Sequence, residues 1–140
     1  MINVYYINGC AFLRTIACHL MFRTSMPLRN SDADTLFQKI SVLSGLYKVR
    51  GFQVVQIFGD NQFTCLQAKL RDKLQITFEP CSPGAHEPFI ERDNRTSKER
   101  CRCVYASLPY KRLPKRMILE LPSAVDFYLN YWCSSGGVSD

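Results

Sequence analysis

The sequence contains only two histidines, and its seven cysteines include no repeated C-x-x-C pair. Structural zinc sites usually need four Cys or His ligands at regular spacing. The one available set is Cys81, His86, Cys101 and Cys103, and its last two members point away from each other on a predicted helix, which argues against zinc. The odd and scattered cysteines also argue against a disulfide framework and predict reduced thiols.

Long uncharged runs are also missing. None reaches the roughly 18 residues that are needed to span a bilayer. Asn3 and Asn8 interrupt the apolar start, so it does not have the form of a signal peptide. With 46% hydrophobic and 21% charged residues, the 140 residues predict one folded domain that is soluble and intracellular and has no membrane partner.

The positive charge is concentrated in one segment. Residues 92–116 hold nine basic and two acidic residues, a net charge of +7, which leaves −1 for the rest of a chain whose total is +6. Such a field favours an anionic partner, and nucleic acid fits better than a membrane because no lipid-binding apolar face accompanies it. We expect contacts to nucleic acid from Arg92, Arg95, Lys98, Arg102, Lys111, Arg112, Lys115 and Arg116. Their alternative role is a solvated surface.

The hydrophobic pattern predicts an α/β fold. The predicted strands span residues 2–7, 11–17, 19–25, 52–58 and 74–78. The predicted helices run from an N-cap at Ser31 to just before Gly51, and over residues 63–71, 88–108 and 115–132. Asn8-Gly9 is a hairpin signal, and Pro122 should kink or split the last helix.

The dipeptides Leu108-Pro109 and Leu113-Pro114 bracket a predicted linker. We expect residues 1–108 to form the core, and residues 109–140 to form a basic linker, a final helix and a tail that pack on or follow the core. Trp132 is expected to pack the final helix.

The helix predicted at 88–108 has two distinct faces. Its core-facing stripe consists of Ile90, Asn94, Ser97, Cys101, Val104 and Leu108. Another side carries Glu91, Arg95, Lys98 and Arg102, so that one carboxylate heads a row of cations. This arrangement suits a divalent metal at the carboxylate and a polyanion along the row. A second acid, Asp60, follows a predicted strand, where open α/β sheets collect their active groups.

Several segments resemble the integrase core of copia-type retrotransposon polyproteins, within the ribonuclease H-like superfamily. The resemblance covers nearly the whole chain. The segments that carry it are NVYYING (3–9), GDNQF (59–63), IERDNRT (90–96), KER (98–100), LPYKRLPK (108–115), LNY (129–131) and GGVSD (136–140). It implies a mixed five-stranded sheet flanked by helices, a DNA partner and homo-oligomers of the kind that integrases form. We further expect the chain to be a fragment of such a polyprotein.

The resemblance implies an Asp, Asp, Glu triad that binds Mg²⁺ or Mn²⁺ for DNA strand transfer. Asp60 falls on its second position, Glu91 on its third, and Asn3 on its first. In a two-metal mechanism the first Asp bridges both ions. The Asn amide is neutral and offers one ligating oxygen, so a second ion should bind poorly.

The sequence therefore predicts an impaired integrase-like domain that binds nucleic acid, and a nuclear location if it acts on chromosomal DNA. The alternative is a non-catalytic nucleic-acid-binding remnant or a non-functional retroelement fragment. Asn3 is the residue that separates an active enzyme from either of these.

Overall fold

A computed structural model describes residues 1–81 and 87–132. The strands are β1 (Ile2–Ile7), β2 (Cys10–Ile16), β3 (Arg23–Leu28), β4 (Gln56–Gly59) and β5 (Thr77–Pro80). The helices are α1 (Ala33–Val49), α2 (Gln67–Leu74), α3 (Glu87–Ser107) and α4 (Lys115–Tyr131), and a 3₁₀ helix, Asn61–Leu66, directly precedes α2.

The five strands form one mixed sheet in the order β3-β2-β1-β4-β5. The pairs β1–β2 and β2–β3 are antiparallel, whereas β1–β4 and β4–β5 are parallel. The predicted fold class, a mixed five-stranded α/β sheet flanked by helices, is confirmed. Within the described residues β1 pairs with β4 only where Ile2 lies opposite Gly59, so the rest of β1 has an open edge on that side.

The two faces of the sheet differ in character. On one face Ile2, Leu13 and Leu28 belong to a hydrophobic core with Leu36 and Ile40 of α1, because these helix residues are four apart and share one stripe. On the other face the strand register places Asn3, Arg14 and Ser25 side by side. Helix α3 packs against β1 and helix α4 against β3. The candidate site therefore lies on the polar side of the sheet.

The hairpin prediction is confirmed, since Asn8 and Gly9 connect β1 to β2 with φ angles of 48° and 72°. The prediction for β3 is wrong by several residues. The strand begins at Arg23 rather than at residue 19, and it includes Pro27. Proline is tolerated there because β3 is an edge strand, where a missing N–H leaves no ladder bond unmade.

Other predicted boundaries also shift. The N-cap of α1 is Asp32 rather than Ser31, because the Thr35 amide donates to the Asp32 carboxylate at 3.2 Å.

Strand β4 starts four residues later than predicted, at Gln56, and Phe52 and Val55 before it are exposed. Strand β5 starts three residues late, because the chain leaves α2 through Gln75 in the left-handed conformation.

Helix α4 is continuous through Pro122, so the predicted split does not occur. Tertiary contacts hold the helix after the proline: Val125 is buried, and the Ser123 hydroxyl donates to the Ser25 carbonyl at 2.8 Å. The prediction for Trp132 is wrong, because its side chain is 73% exposed and its ring meets Tyr131 edge-on instead of the core.

Helix α4 packs against β3 and α3. The division of the chain at residue 108 stays a prediction. Across the two described stretches, each helix is too short or too polar to cross a bilayer. His86 and the segment 136–140 lie outside the described residues.

Candidate metal and nucleic-acid site

Asn3, Asp60 and Glu91 line one small cleft of about 90 Å³. Asp60 directly follows β4, and Asn3 lies next to Ile2, the β1 residue that pairs with the end of β4. Glu91 comes from the first turns of α3, directly after the buried Ile90. Three segments that are far apart in sequence thus supply the three residues that the resemblance assigns to a triad.

Gly59 allows β1 and β4 to meet closely at this cleft. A Cβ atom at position 59 would lie 2.7 Å from Cγ1 of Ile2 and 3.2 Å from its carbonyl oxygen. These distances are shorter than ordinary van der Waals contacts, so a side chain would push the strands apart. The glycine before Asp60 is therefore required by the packing that brings Asn3 and Asp60 to one cleft.

Asp60 caps a short helix and is also exposed to solvent. Its Oδ1 accepts a hydrogen bond from the Asn61 amide at 2.6 Å, and the residue caps the 3₁₀ helix Asn61–Leu66. Asp60 and Glu91 are both exposed, which leaves their carboxylates accessible to a cation from solvent.

The oxygen donors of the cleft are the carboxylates of Asp60 and Glu91 and the amide of Asn3, and Cys81 also lines it. Hard oxygen donors of this kind suit Mg²⁺ or Mn²⁺ better than a soft metal. Among the described residues, no group of three or more His, Cys, Asp or Glu side chains is placed to hold a metal. Among the residues that the structure describes, the cleft therefore holds one acid fewer than a three-carboxylate site.

Asn3 and Glu91 also line an open groove of about 560 Å³ between the free edge of β1 and helix α3. Arg95, Lys98 and Arg102 line this groove, in the row predicted from helical spacing. The groove therefore continues from the cleft along a cationic helix face. The other expected contacts are exposed but do not line it: Arg92, Lys111, Arg112, Lys115 and Arg116.

The cations of the groove are not equivalent. Arg95 donates to Glu99 at 3.0 Å in an exposed pair on the same helix. Lys98 lies over the Tyr5 ring, with its Nζ 5.9 Å from the ring centroid. Within the described residues neither Lys98 nor Arg102 forms an ion pair with a carboxylate. These two side chains are therefore the most available to an anion.

A buried ionic cluster holds α3 and α4 on this face of the sheet. Arg14 is completely buried and donates to Asp93 of α3 through Nε at 3.0 Å, and to Asp126 of α4. Its Nη1 also donates to the hydroxyls of Ser25 at 2.9 Å and Ser97 at 3.3 Å. The bonds of this one guanidinium connect the sheet to both helices.

Arg23 also belongs to the cluster, because it donates to Asp93 at 2.6 Å. The charges of the two arginines and two aspartates therefore balance. Burial raises the pKa of Asp126, an effect that the Arg14 guanidinium partly offsets. One carboxylate oxygen of Asp126 has no hydrogen-bond partner in the described structure. The cluster therefore holds Asp126 in surroundings that disfavour its charge.

Sequence reasoning missed this cluster because Asp93 entered that reasoning only through the net charge of residues 92–116. A signal was present in the spacing. Asp93 lies three residues after Ile90 and four before Ser97, which places it beside the core-facing stripe. The stripe itself is confirmed at Ile90, Asn94, Ser97 and Cys101, which are all buried.

The sequence matches no protein-family model and no curated protein. Among solved structures, the chain is similar to the catalytic core domain of BIV integrase. The TM-score is 0.73 at 17% sequence identity, and the match covers 97% of this chain and 86% of that chain. At this identity the similarity establishes the fold. The chain therefore has the mixed five-stranded, ribonuclease H-like fold of an integrase catalytic core.

Proposed function

We propose that this chain is an integrase-like domain of copia-type retrotransposon origin that binds DNA and whose strand-transfer chemistry is impaired. The observation that carries the proposal is the single cleft lined by Asn3, Asp60 and Glu91, which continues into the cationic groove. An Asp, Asp, Glu triad is what the sequence resemblance implies for these positions. The fold shared with an integrase catalytic core supports the same origin.

Asp60 and Glu91 are the proposed ligands of one Mg²⁺ or Mn²⁺ ion, with the Asn3 amide oxygen as a neutral third donor. A bound ion would polarise a phosphoryl oxygen of DNA. Two carboxylates supply two negative charges, which is enough for one divalent ion. A second ion about 4 Å away is repelled, and among the described residues no third carboxylate lines the cleft to compensate for this.

Impaired catalysis follows from this charge deficit. We expect little or no strand transfer in Mn²⁺ by this chain. Asn3→Asp restores a carboxylate where β1 meets the cleft. It should raise the yield of strand transfer when any flanking segments that the reaction needs are supplied. The alternative is a purely non-catalytic binding domain, and the neutral Asn3 side chain is the observation that favours it.

DNA binding is assigned to the groove, above all to Lys98 and Arg102, because no carboxylate in the described structure pairs with them. Arg95 contributes when DNA displaces its exposed contact with Glu99, since such surface pairs are worth roughly 0–1 kcal/mol. The exposed linker cations Lys111, Arg112, Lys115 and Arg116, together with Arg92, remain expected contacts outside the groove.

A salt titration of duplex DNA binding, followed by fluorescence anisotropy, tests this assignment. The double variant Lys98→Gln/Arg102→Gln should lower the slope of log affinity against log salt by up to about two, because each lost phosphate contact removes close to one released counterion. Lys39→Gln/Lys48→Gln is the matched control, since it removes the same charge from α1. Binding that does not respond to salt, or no binding at low salt, contradicts the proposal.

A further inference from the structure

A second hollow, which we call the side hollow, opens from the groove. It has a volume of about 350 Å³ and lies between the end of β1, α3 and α4. Tyr6, Lys98 and Arg102 line both the groove and the side hollow, so the two are continuous. The groove that runs along α3 from Glu91, a proposed metal ligand, therefore leads into this hollow.

The side hollow combines an aromatic ring, apolar walls and cations at its entrance. Tyr105 of α3 and Ile118 and Leu121 of α4 supply aromatic and apolar surface, and the exposed ring of Tyr6 at the end of β1 adds to it. Tyr105 follows Lys98 by seven residues and Arg102 by three, which places it on the same helix face and extends the row beyond its last cation. The Tyr105 side chain remains 38% exposed.

A hydrogen bond limits the freedom of the Tyr105 side chain. Its hydroxyl donates to the carbonyl of Lys111 at 3.3 Å, which connects the end of α3 to the basic linker. An aromatic ring that is restrained before binding loses less conformational entropy when a flat ligand stacks on it. The side hollow is therefore suited to a flat, apolar-faced group attached to an anion.

We propose that the side hollow binds an unpaired base of single-stranded DNA, which stacks on Tyr105 while the adjacent phosphates contact Lys98 and Arg102. The inference rests on the proposed DNA-binding function and adds the form of DNA that the site selects. Bases of an intact duplex are stacked inside the helix and do not present their faces to a side chain. Aromatic rings beside a cationic track are the arrangement by which proteins hold single strands.

The test uses a short single-stranded oligonucleotide and the duplex of the same sequence, both titrated by anisotropy. Tyr105→Ala should weaken single-strand binding by about 5- to 150-fold, the range seen when one stacking ring is lost, and leave duplex binding unchanged. Tyr105→Phe keeps the ring but loses the hydrogen bond to Lys111, so it should weaken single-strand binding far less than Tyr105→Ala does. Tyr110→Ala is the matched control, because Tyr110 is exposed but does not line the hollow.

A 2-aminopurine base in the single strand provides a direct readout of stacking. Its fluorescence should be quenched by the wild type and by Tyr105→Phe, but not by Tyr105→Ala. If both forms of DNA bind while Tyr105→Ala holds single strands as well as the wild type, the side-hollow proposal is wrong and the DNA-binding function stands. Equal losses for duplex and single strand also overturn it. If neither form binds at low salt, the proposed function fails as well.

Discussion

Arg14 of β2 donates from its Nε to Asp93 of α3 at 3.0 Å. This buried bond connects α3, the helix that carries Glu91, to the sheet. Asp93 lies two residues after Glu91, within the same turns of α3. Since Asn3 lies opposite Arg14 in the β1–β2 register, the anchor and the candidate site share one face of the sheet. The cluster therefore sets the position of the third cleft residue.

Replacing Arg14 should destabilise the fold strongly. Arg14→Met removes the guanidinium and leaves the Asp126 carboxylate buried without its cation, which should lower the free energy of unfolding by about 3–5 kcal/mol. Urea unfolding followed by circular dichroism measures the change. Arg116→Met is the control, because the pair of Arg116 with Glu120 is exposed and its loss should cost about 1 kcal/mol or less. Similar losses in the two variants would contradict a structural role for the cluster.

Gly59→Ala should be destabilising by about 1–3 kcal/mol, because the added methyl group would overlap Ile2 where β1 meets β4. It should also weaken metal binding, since the same contact brings Asn3 to Asp60. Gly45→Ala is the matched control. Gly45 lies inside α1 with open space around its Cα, so alanine should stabilise the helix by about 0.5–1 kcal/mol. If Gly59→Ala unfolds at the same urea concentration as the wild type, the close strand contact is not real.

Two cysteines of α3 should differ in their reaction with thiol reagents. Burial, reinforced by Asp126, raises the pKa of the Cys101 thiol from 9.0 to about 11, whereas Cys103 is exposed. The thiolate is the reactive form, so Cys101 should hold about 100-fold less of it than an unperturbed thiol at neutral to mildly basic pH. Iodoacetamide labelling with peptide mass mapping should modify Cys103 and spare Cys101 until the protein is unfolded in urea. Equal labelling of both in the native protein would show that α3 is not packed as described.

Local signals in the sequence determine the parts of the fold that were predicted well. Asn8-Gly9 selects a tight turn, and the stripe containing Ile90 and Ser97 predicts the buried face of α3. The cleft was predicted only through the family resemblance, since Asn3 and Asp60 are separated by more than fifty residues. Sequence spacing by itself carries no information about a parallel strand pair of that separation.

The errors arise where tertiary contacts overrule local preference. Pro27 looks like a strand terminator, but it is accommodated at a sheet edge. Pro122 looks like a helix breaker, but contacts of α4 with β3 hold the helix continuous. The sequence analysis assigned no role to Arg14, whose burial becomes understandable only when Asp93 and Asp126 are brought to it from two distant helices. Arg14 and Asp126 are 112 residues apart in the sequence, so no local pattern indicates that they pair.

A calorimetric Mn²⁺ titration of the wild type and of Asn3→Asp tests the central claim most directly. The wild type should bind one ion weakly, because Asp60 and Glu91 supply about two negative charges. Asn3→Asp should bind measurably tighter, and Asp60→Asn should abolish binding while circular dichroism shows an intact fold. Indistinguishable isotherms for the wild type and Asn3→Asp would mean that residue 3 does not belong to the metal site, and would contradict the account.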